Sequence, residues 1–329
     1  MTETMSPVRP RFIPQFSLAR HGALLALAGL IVFNALFTPH FVSLQTFNVN
    51  MTQVAPIVIV AVGMTLVIAT AGVDLSVGSL MAVAGQLAPI IFLGKAVNLP
   101  WSIAIVLAFV VPPTVTTLMG LFNGVLVSRY RIQPIVATLI LYIAGRGIAQ
   151  VLTNGNLQTF REPGFQWIGL ARPLGLPIQS IAMLIFVAAA IWLMRRSLFG
   201  RALLAVGGNE RAAYLAGVPV AKIKRRVYMI SGFCAGFAGL IVIAINSSSD
   251  ANQVGLGMEL DAIAAVAVGG TPFAGGKANL AGTLLGALII QLVRYTLIAN
   301  GVPDAAALVV KAGLIVLAVW LQRHGKNAS

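Results

Sequence analysis

Eight acids are spread over 329 residues, and three of them, Asp74, Glu259 and Asp261, stand against long apolar runs. A carboxylate beside lipid is costly unless something pairs with it, so such acids are candidates for a conduit, a gate or ion coupling. Asp74 lies in TAGVDLSVG (Thr70–Gly78). There Gly72 can end one helix, and Asp74 can cap the next by accepting from the amide of Ser76 or Val77. Two readings stay open: a capped tight turn, or a broken helix whose irregular backbone lines a translocation path, with Asp74 and Ser76 on it. Glu259 and Asp261 open a second stretch, GLGMELDAIAAVAVGGTPFAGG, whose glycines break it again at its far end. The run from Gly270 to Lys277 superficially suggests a phosphate loop. It fails, because Thr271 replaces the first glycine position and Ala278 stands where Ser or Thr must hold magnesium. Three bases, Arg146, Arg294 and Lys311, also fall within apolar runs. A lone arginine near the bilayer centre costs roughly 2.5–3.5 kcal/mol on insertion scales, so Arg146 needs a partner or a polar cavity. Asp261 could pair with Lys311 or Arg294, or these bases could snorkel. We therefore expect Asp74, Ser76, Arg146, Glu259 and Asp261 to mark a path or gate.

The elements that must position these residues are membrane spans. The chain is 58% hydrophobic and only 9% charged, against roughly 25% charged in a soluble domain. A formal net charge of +14 would ordinarily raise nucleic acid as a partner, but here the bases punctuate apolar runs and form no soluble face. Cys234 is the single cysteine, and His21, His40 and His324 have no ligand spacing, so no metal, cofactor or catalytic site is expected. About 20 apolar residues cross a bilayer, and ten runs qualify: Gly22–Phe37, Val54–Ala71, Val77–Gly94, Trp101–Val127, Pro134–Leu152, Ile178–Met194, Val227–Ile245, Leu260–Gly270, Leu280–Ala299 and Ala305–Leu321. The first could be mistaken for a signal peptide, but too little apolar sequence precedes Ala26-Leu27-Ala28 and more follows it. The fourth contains Pro112-Pro113 and the eighth is short. Gly120-x-x-x-Gly124, Gly232-x-x-x-Gly236 and Gly282-x-x-x-Gly286 predict close helix crossings. Val62–Thr65 and Val268–Thr271 resemble one another faintly, as related halves of a transporter would.

With the N-terminus inside, sixteen of the 22 Lys and Arg residues fall on inner segments, three on outer ones and three in spans. The positive-inside rule thus favours an even span number with both ends cytoplasmic: a tail at 1–21, a membrane domain at 22–322 and a short tail at 323–329. The break at Asp74 then lies on the inner side. The loop at 195–226 carries eight of the bases against the single acid Glu210. Its middle reads as a short helix capped by Asn209, with Glu210 at its positive end and Gly217 and Pro219 as stops. Gly208, Asn209, Glu210, Arg211, Ala212, Ala213, Ala216 and Gly217 would present a small-faced helix to a docking protein. The outer loop Thr153–Pro177, with Phe160, Arg161, Glu162, Phe165 and Trp167, suits either the membrane interface or a soluble partner.

GVDLSVGSLMAVAG (Gly72–Gly85), ATLILYIAGRGIAQ (Ala137–Gln150), VGGNERAAYLAGV (Val206–Val218) and ELDAIAAVAVGGTPFAGGKAN (Glu259–Asn279) resemble the sugar permeases of ABC importers, the ribose/xylose/galactofuranose group. IQPIVATLILYIAGRGIAQ and DANQVGLGMELDAI are most similar to the galactofuranose permeases. The resemblance implies an all-α, vitamin-B12-permease-like bundle of about ten transmembrane helices in a bacterial inner membrane. It also implies a second permease subunit, a cytoplasmic ATP-binding subunit and a periplasmic sugar-binding protein, with Gly208–Gly217 as the coupling helix. An ion-coupled secondary transporter is the alternative, with Asp74 as its deepest acid.

Overall fold

The computed structural model describes residues 18–95 and 97–303, together with Ala306, Val309, Val310, Ala312 and Gly313. Most of the expected tenth span, its Lys311 and most of both tails lie outside the described residues. Twelve α-helices are described: α1 Leu18–Phe37, α2 Leu44–Ala69, α3 Val77–Phe92, α4 Trp101–Ser128, α5 Pro134–Val151, α6 Pro163–Leu170, α7 Ile178–Arg196, α8 Leu198–Gly208, α9 Glu210–Leu215, α10 Val220–Asn246, α11 Met258–Val268 and α12 Leu280–Ala299. Two two-residue strands, β1 Gln158–Thr159 and β2 Ser248–Ser249, pair antiparallel, Gln158 opposite Ser249.

Six helices (α2, α4, α5, α7, α10 and α12) are long and apolar enough to cross a membrane. Helix α2 is the pillar: every residue from Val54 to Ala69 is buried, as expected of a helix that is apolar all round. Helices α7, α10, α11 and α12 pack around it. Helices α4 and α10 run against each other through interlocked glycines. A Cβ on Gly120 would fall 2.3 Å from the Tyr228 carbonyl oxygen, and one on Gly232 2.2 Å from that of Thr116. The expected close crossing is therefore real, with backbone contact replacing the hydrophobic drive that lipid removes. Pro112-Pro113 does not interrupt α4. Thr116 and Thr117 donate their hydroxyls back to the Pro112 and Pro113 carbonyls (2.6–3.2 Å), the local back-bonding by which threonine satisfies its hydroxyl within a helix.

Two elements fall short of a full crossing. Helix α3 has 16 residues and α11 has 11, or about 24 Å and 17 Å against a hydrocarbon core of about 30 Å. Between α2 and α3 the chain leaves the helix at Thr70, where the Gly276 amide reaches the Ala69 carbonyl (3.0 Å) and Gly207 abuts the same oxygen. This corner, made by the tip of α2, the end of α8 and the Gly269–Asn279 turn, is the basic end of the bundle. From there the chain climbs, and Asp74 is met by Ser231 in the middle third of α10. The break at Asp74, expected on the inner side, starts at the basic end and runs into the bundle. Val62–Thr65 sits inside α2, whereas Val268–Thr271 is the end of α11 and the turn beyond, so their likeness marks no equivalent position.

At the far end, the Thr153–Pro177 segment folds onto the bundle. Phe160 and Phe165 are buried with Phe92 and Phe109, centroids 5.0 Å apart for three of the pairs, while Trp167 stays half exposed.

Candidate functional site

The basic end carries the feature best suited to a partner. Asn209 caps α9 by accepting from the Ala212 amide (2.9 Å), and Gly217 leaves it at φ +80°, the left-handed exit that favours glycine. Glu210 lies in the first turn, near the positive pole, and bridges to Lys224 of α10 at 2.6 Å. That pair is solvent-exposed on the Glu210 side and orients more than it stabilises. The helix stands proud: Arg211, Ala212, Ala216 and Gly217 are exposed, whereas Ala213 turns inward and is buried. The side chains that project are Tyr214, 70% exposed, and Leu215, 77% exposed. Sequence reasoning weighted the small residues and passed over these two. It also missed α8, an amphipathic helix capped by Ser197 on the Gly200 amide (3.1 Å). Leu203, Val206 and Gly207 of α8 are buried while Arg201 is exposed. The Gly207-Gly208 pair is the last turn of α8, which seats the base of α9 against α2.

At mid-depth the two unwound stretches differ in every respect. Asp74 is fully buried and accepts from the Ser76 amide (3.0 Å), the Ser76 hydroxyl (2.6 Å) and the Ser231 hydroxyl (2.7 Å). Asn123 of α4 donates to Ser76 Oγ (2.9 Å). The predicted capping of Ser76 is present, and the network joins α3, α4 and α10. Hydrogen bonds from two hydroxyls and an amide take the place of an ion pair here.

The second stretch, residues 247–257, drops from α10 back into the bundle. It reaches the first turn of α3, where a Cβ on Gly78 would fall 2.2 Å from the Gly255 carbonyl oxygen and 2.5 Å from Glu259 Oε2. Arg146 of α5 holds it, its Nη1 donating to the Ala251 and Val254 carbonyls, both at 2.7 Å. Gln150, one helical turn on, donates to Asn252 Oδ1 (2.7 Å). This answers what Arg146 needs in an apolar span: backbone carbonyls. Asn252, Gln253, Leu256 and Leu260 are exposed, and Glu259 Oε2, though buried, accepts no hydrogen bond among the described residues. Asp261 sits in the first turn of α11, largely buried. Its proposed partner Lys311 lies outside the described residues, and Arg294 is part-exposed near the far end of α12. The structure thus brings together Arg146, Glu259 and the re-entrant loop, and it sets Asp74 and Ser76 apart in a sealed network.

A bundle of membrane-crossing helices with two half-helices meeting at mid-depth and a helix projecting from its basic end defines a polytopic membrane permease. The chain belongs to the family described as branched-chain amino acid transport system / permease component, matching it over residues 47–319. It is 40% identical over 307 residues to the galactofuranose transporter permease protein of Escherichia coli K12, covering 91% of this chain and 88% of that one. To the ribose import permease protein of the same organism it is 41% identical over 313 residues (94% and 95%). To the L-arabinose ABC transporter permease protein of Azospirillum brasilense it is 30% identical over 340 residues (99% and 98%). No solved structure matches the chain.

Proposed function

We propose that this chain is the membrane-spanning permease subunit of an ATP-driven importer for a monosaccharide, in a bacterial inner membrane with both termini cytoplasmic. The relatives named for galactofuranose, ribose and L-arabinose support a pentose or hexose as cargo. On this reading the chain binds no cofactor and performs no hydrolysis. A cytoplasmic ATP-binding subunit supplies the energy, a periplasmic binding protein delivers the sugar, and a second permease subunit, a copy or a different chain, completes the path.

The observation that carries the proposal is α9. A capped helix on a basic surface, with Tyr214 and Leu215 in solvent, suits insertion into a groove on the ATP-binding subunit. Closure of the ATPase pair would push α9, and α8 passes that displacement to the tip of α2 through Gly207. The bundle then exchanges an outward-open for an inward-open arrangement.

For the path itself we assign the face formed by Arg146, Gln150, Asn252 and Glu259. Non-helical backbone is tolerated at membrane depth only against protein or a water-filled cavity, and this loop leaves Asn252 and Gln253 uncovered. Paired amide and carboxylate acceptors there suit weak contacts to sugar hydroxyls. Ion-coupled transport is disfavoured, because Asp74 is sealed by three donors and an ion would have to break them. Gly217→Trp, a bulky side chain at positive φ on the docking helix, is expected to abolish uptake and transport-linked ATP hydrolysis while the chain still inserts in the membrane. Normal uptake by this variant would overturn the docking role. Uptake should survive collapse of proton and sodium gradients and stop on ATP depletion.

A further inference from the structure

We propose that an anionic phospholipid of the leaflet at the basic end binds a groove between α4, the α7–α8 corner and α10, and thereby tunes the movement of α9. The proposal rests on the reading of α9 as the docking helix, but its binding step can be tested apart from transport.

The groove has a volume of about 460 Å³ and is lined by Thr117, Leu193, Phe199, Met229, Ile230 and Phe233, with Arg226 as its one charged wall. Apart from the threonine and the arginine the lining is hydrocarbon or thioether, matched to an acyl chain. Behind the lining residue Phe233 pack Phe186 and Phe237, ring centroids 5.0–6.4 Å apart.

Charge supplies the headgroup selectivity. Of the three successive bases on α10, Lys224 is taken by Glu210 (2.6 Å) and Arg225 donates from Nε to Ser128 Oγ (3.1 Å). Arg226 makes no hydrogen bond or ion pair among the described residues, is exposed and faces the groove. Arg195 and Arg196 end α7 next to the groove-lining Leu193 and Phe199. Arg201 follows in the first turns of α8. The acid within this stretch, Glu210, is already paired. Basic pockets between transmembrane helices on the cytoplasmic side are suited to cardiolipin-like or phosphatidylglycerol headgroups, and each base near the surface adds attraction to anionic lipid.

Position makes this more than solvation. Helix α8 leads into α9 and α10 leads out of it. A phosphate shared by Arg226 and the α7 bases would tie the two flanks of the docking helix together and oppose their separation.

The test is native mass spectrometry of the full chain in detergent, titrated with phosphatidylglycerol, cardiolipin or phosphatidylcholine. A parallel arm maps crosslinks from a phosphatidylglycerol carrying a photoactivatable acyl chain. Wild type is expected to retain both anionic lipids at least tenfold better than phosphatidylcholine, with crosslinks at Met229, Ile230 or Phe233. Arg226→Gln should lose that preference and Arg226→Lys should keep it. Equal retention of all three lipids, or crosslinks confined to other helices, overturns the proposal, and the crosslinks need no variant. In proteoliposomes with the ATP-binding subunit, replacing phosphatidylglycerol by phosphatidylcholine should change coupled ATP hydrolysis several-fold for wild type and not for Arg226→Gln. Lipid binding without that change removes the tuning role. Loss of hydrolysis in every lipid would instead count against α9 as the docking helix.

Discussion

The two breaks in this bundle, Gly72–Ser76 and residues 247–257, meet at the first turn of α3 and yet are held in opposite ways. The first is closed. Asp74, Ser76 and Asn123 are wholly buried, and both carboxylate oxygens of Asp74 are bonded to donors on α10 and on its own turn. The second is open: its Asn252, Gln253 and Leu256 are exposed and a single guanidinium holds two of its carbonyls. An acid within a membrane domain is therefore no marker of transport by itself. What separates a structural clamp from a path is whether its carboxylate is bonded from within and whether anything can reach it.

Substitutions can break or sharpen this contrast. Asp74→Leu should have the largest effect. It strands two hydroxyl donors and an amide in the core, a loss of about 3 kcal/mol or more, read as collapse of the monodisperse yield and of the melting temperature. Asp74→Asn keeps the shape and one acceptor oxygen and should retain most of the yield. Gly78→Val comes next, since its side chain meets the Gly255 carbonyl and the Glu259 carboxylate. A forced shift of backbone costs about 1–3 kcal/mol, and uptake should vanish while a folded fraction remains. Arg146→Met frees the Ala251 and Val254 carbonyls and is expected to lower uptake about tenfold or more, since hydrogen bonds to a charged group are worth about 1.5–3 kcal/mol. Asn252→Ala, at an exposed site, should shift stability by no more than about 0.5 kcal/mol and reduce uptake only a few-fold. If the Asp74 variants fold but fail to transport, and the Arg146 and Asn252 variants transport normally, the roles assigned to the two breaks are reversed.

Much of this was legible because it is local. Asn209 capping α9, Ser76 donating to Asp74, the Gly217 exit and the Gly120–Gly232 crossing each depend on residues a few positions apart or on a simple small-residue period. What escaped was long-range. Ser231 lies 157 positions from Asp74, and the partners of Arg146 are carbonyls, which carry no residue signature. Helix α8 had a readable pattern, Ser197 followed by Phe199, Leu203 and Val206, but the density of charge around it reads as loop. Within α9 the inward turn of Ala213 follows from how α10 anchors the helix, so nothing in ERAAYL predicts that Tyr214 and Leu215 face out.

The docking of α9 can be tested by labelling. Cys234, the native cysteine, is buried, so Leu215→Cys provides one reactive thiol on the projecting helix. A membrane-impermeant maleimide should modify it in inside-out vesicles stripped of peripheral proteins, fail to do so in intact cells, and be excluded once the ATP-binding subunit is added back. Modification from outside intact cells, or labelling unchanged by that subunit, would contradict the account.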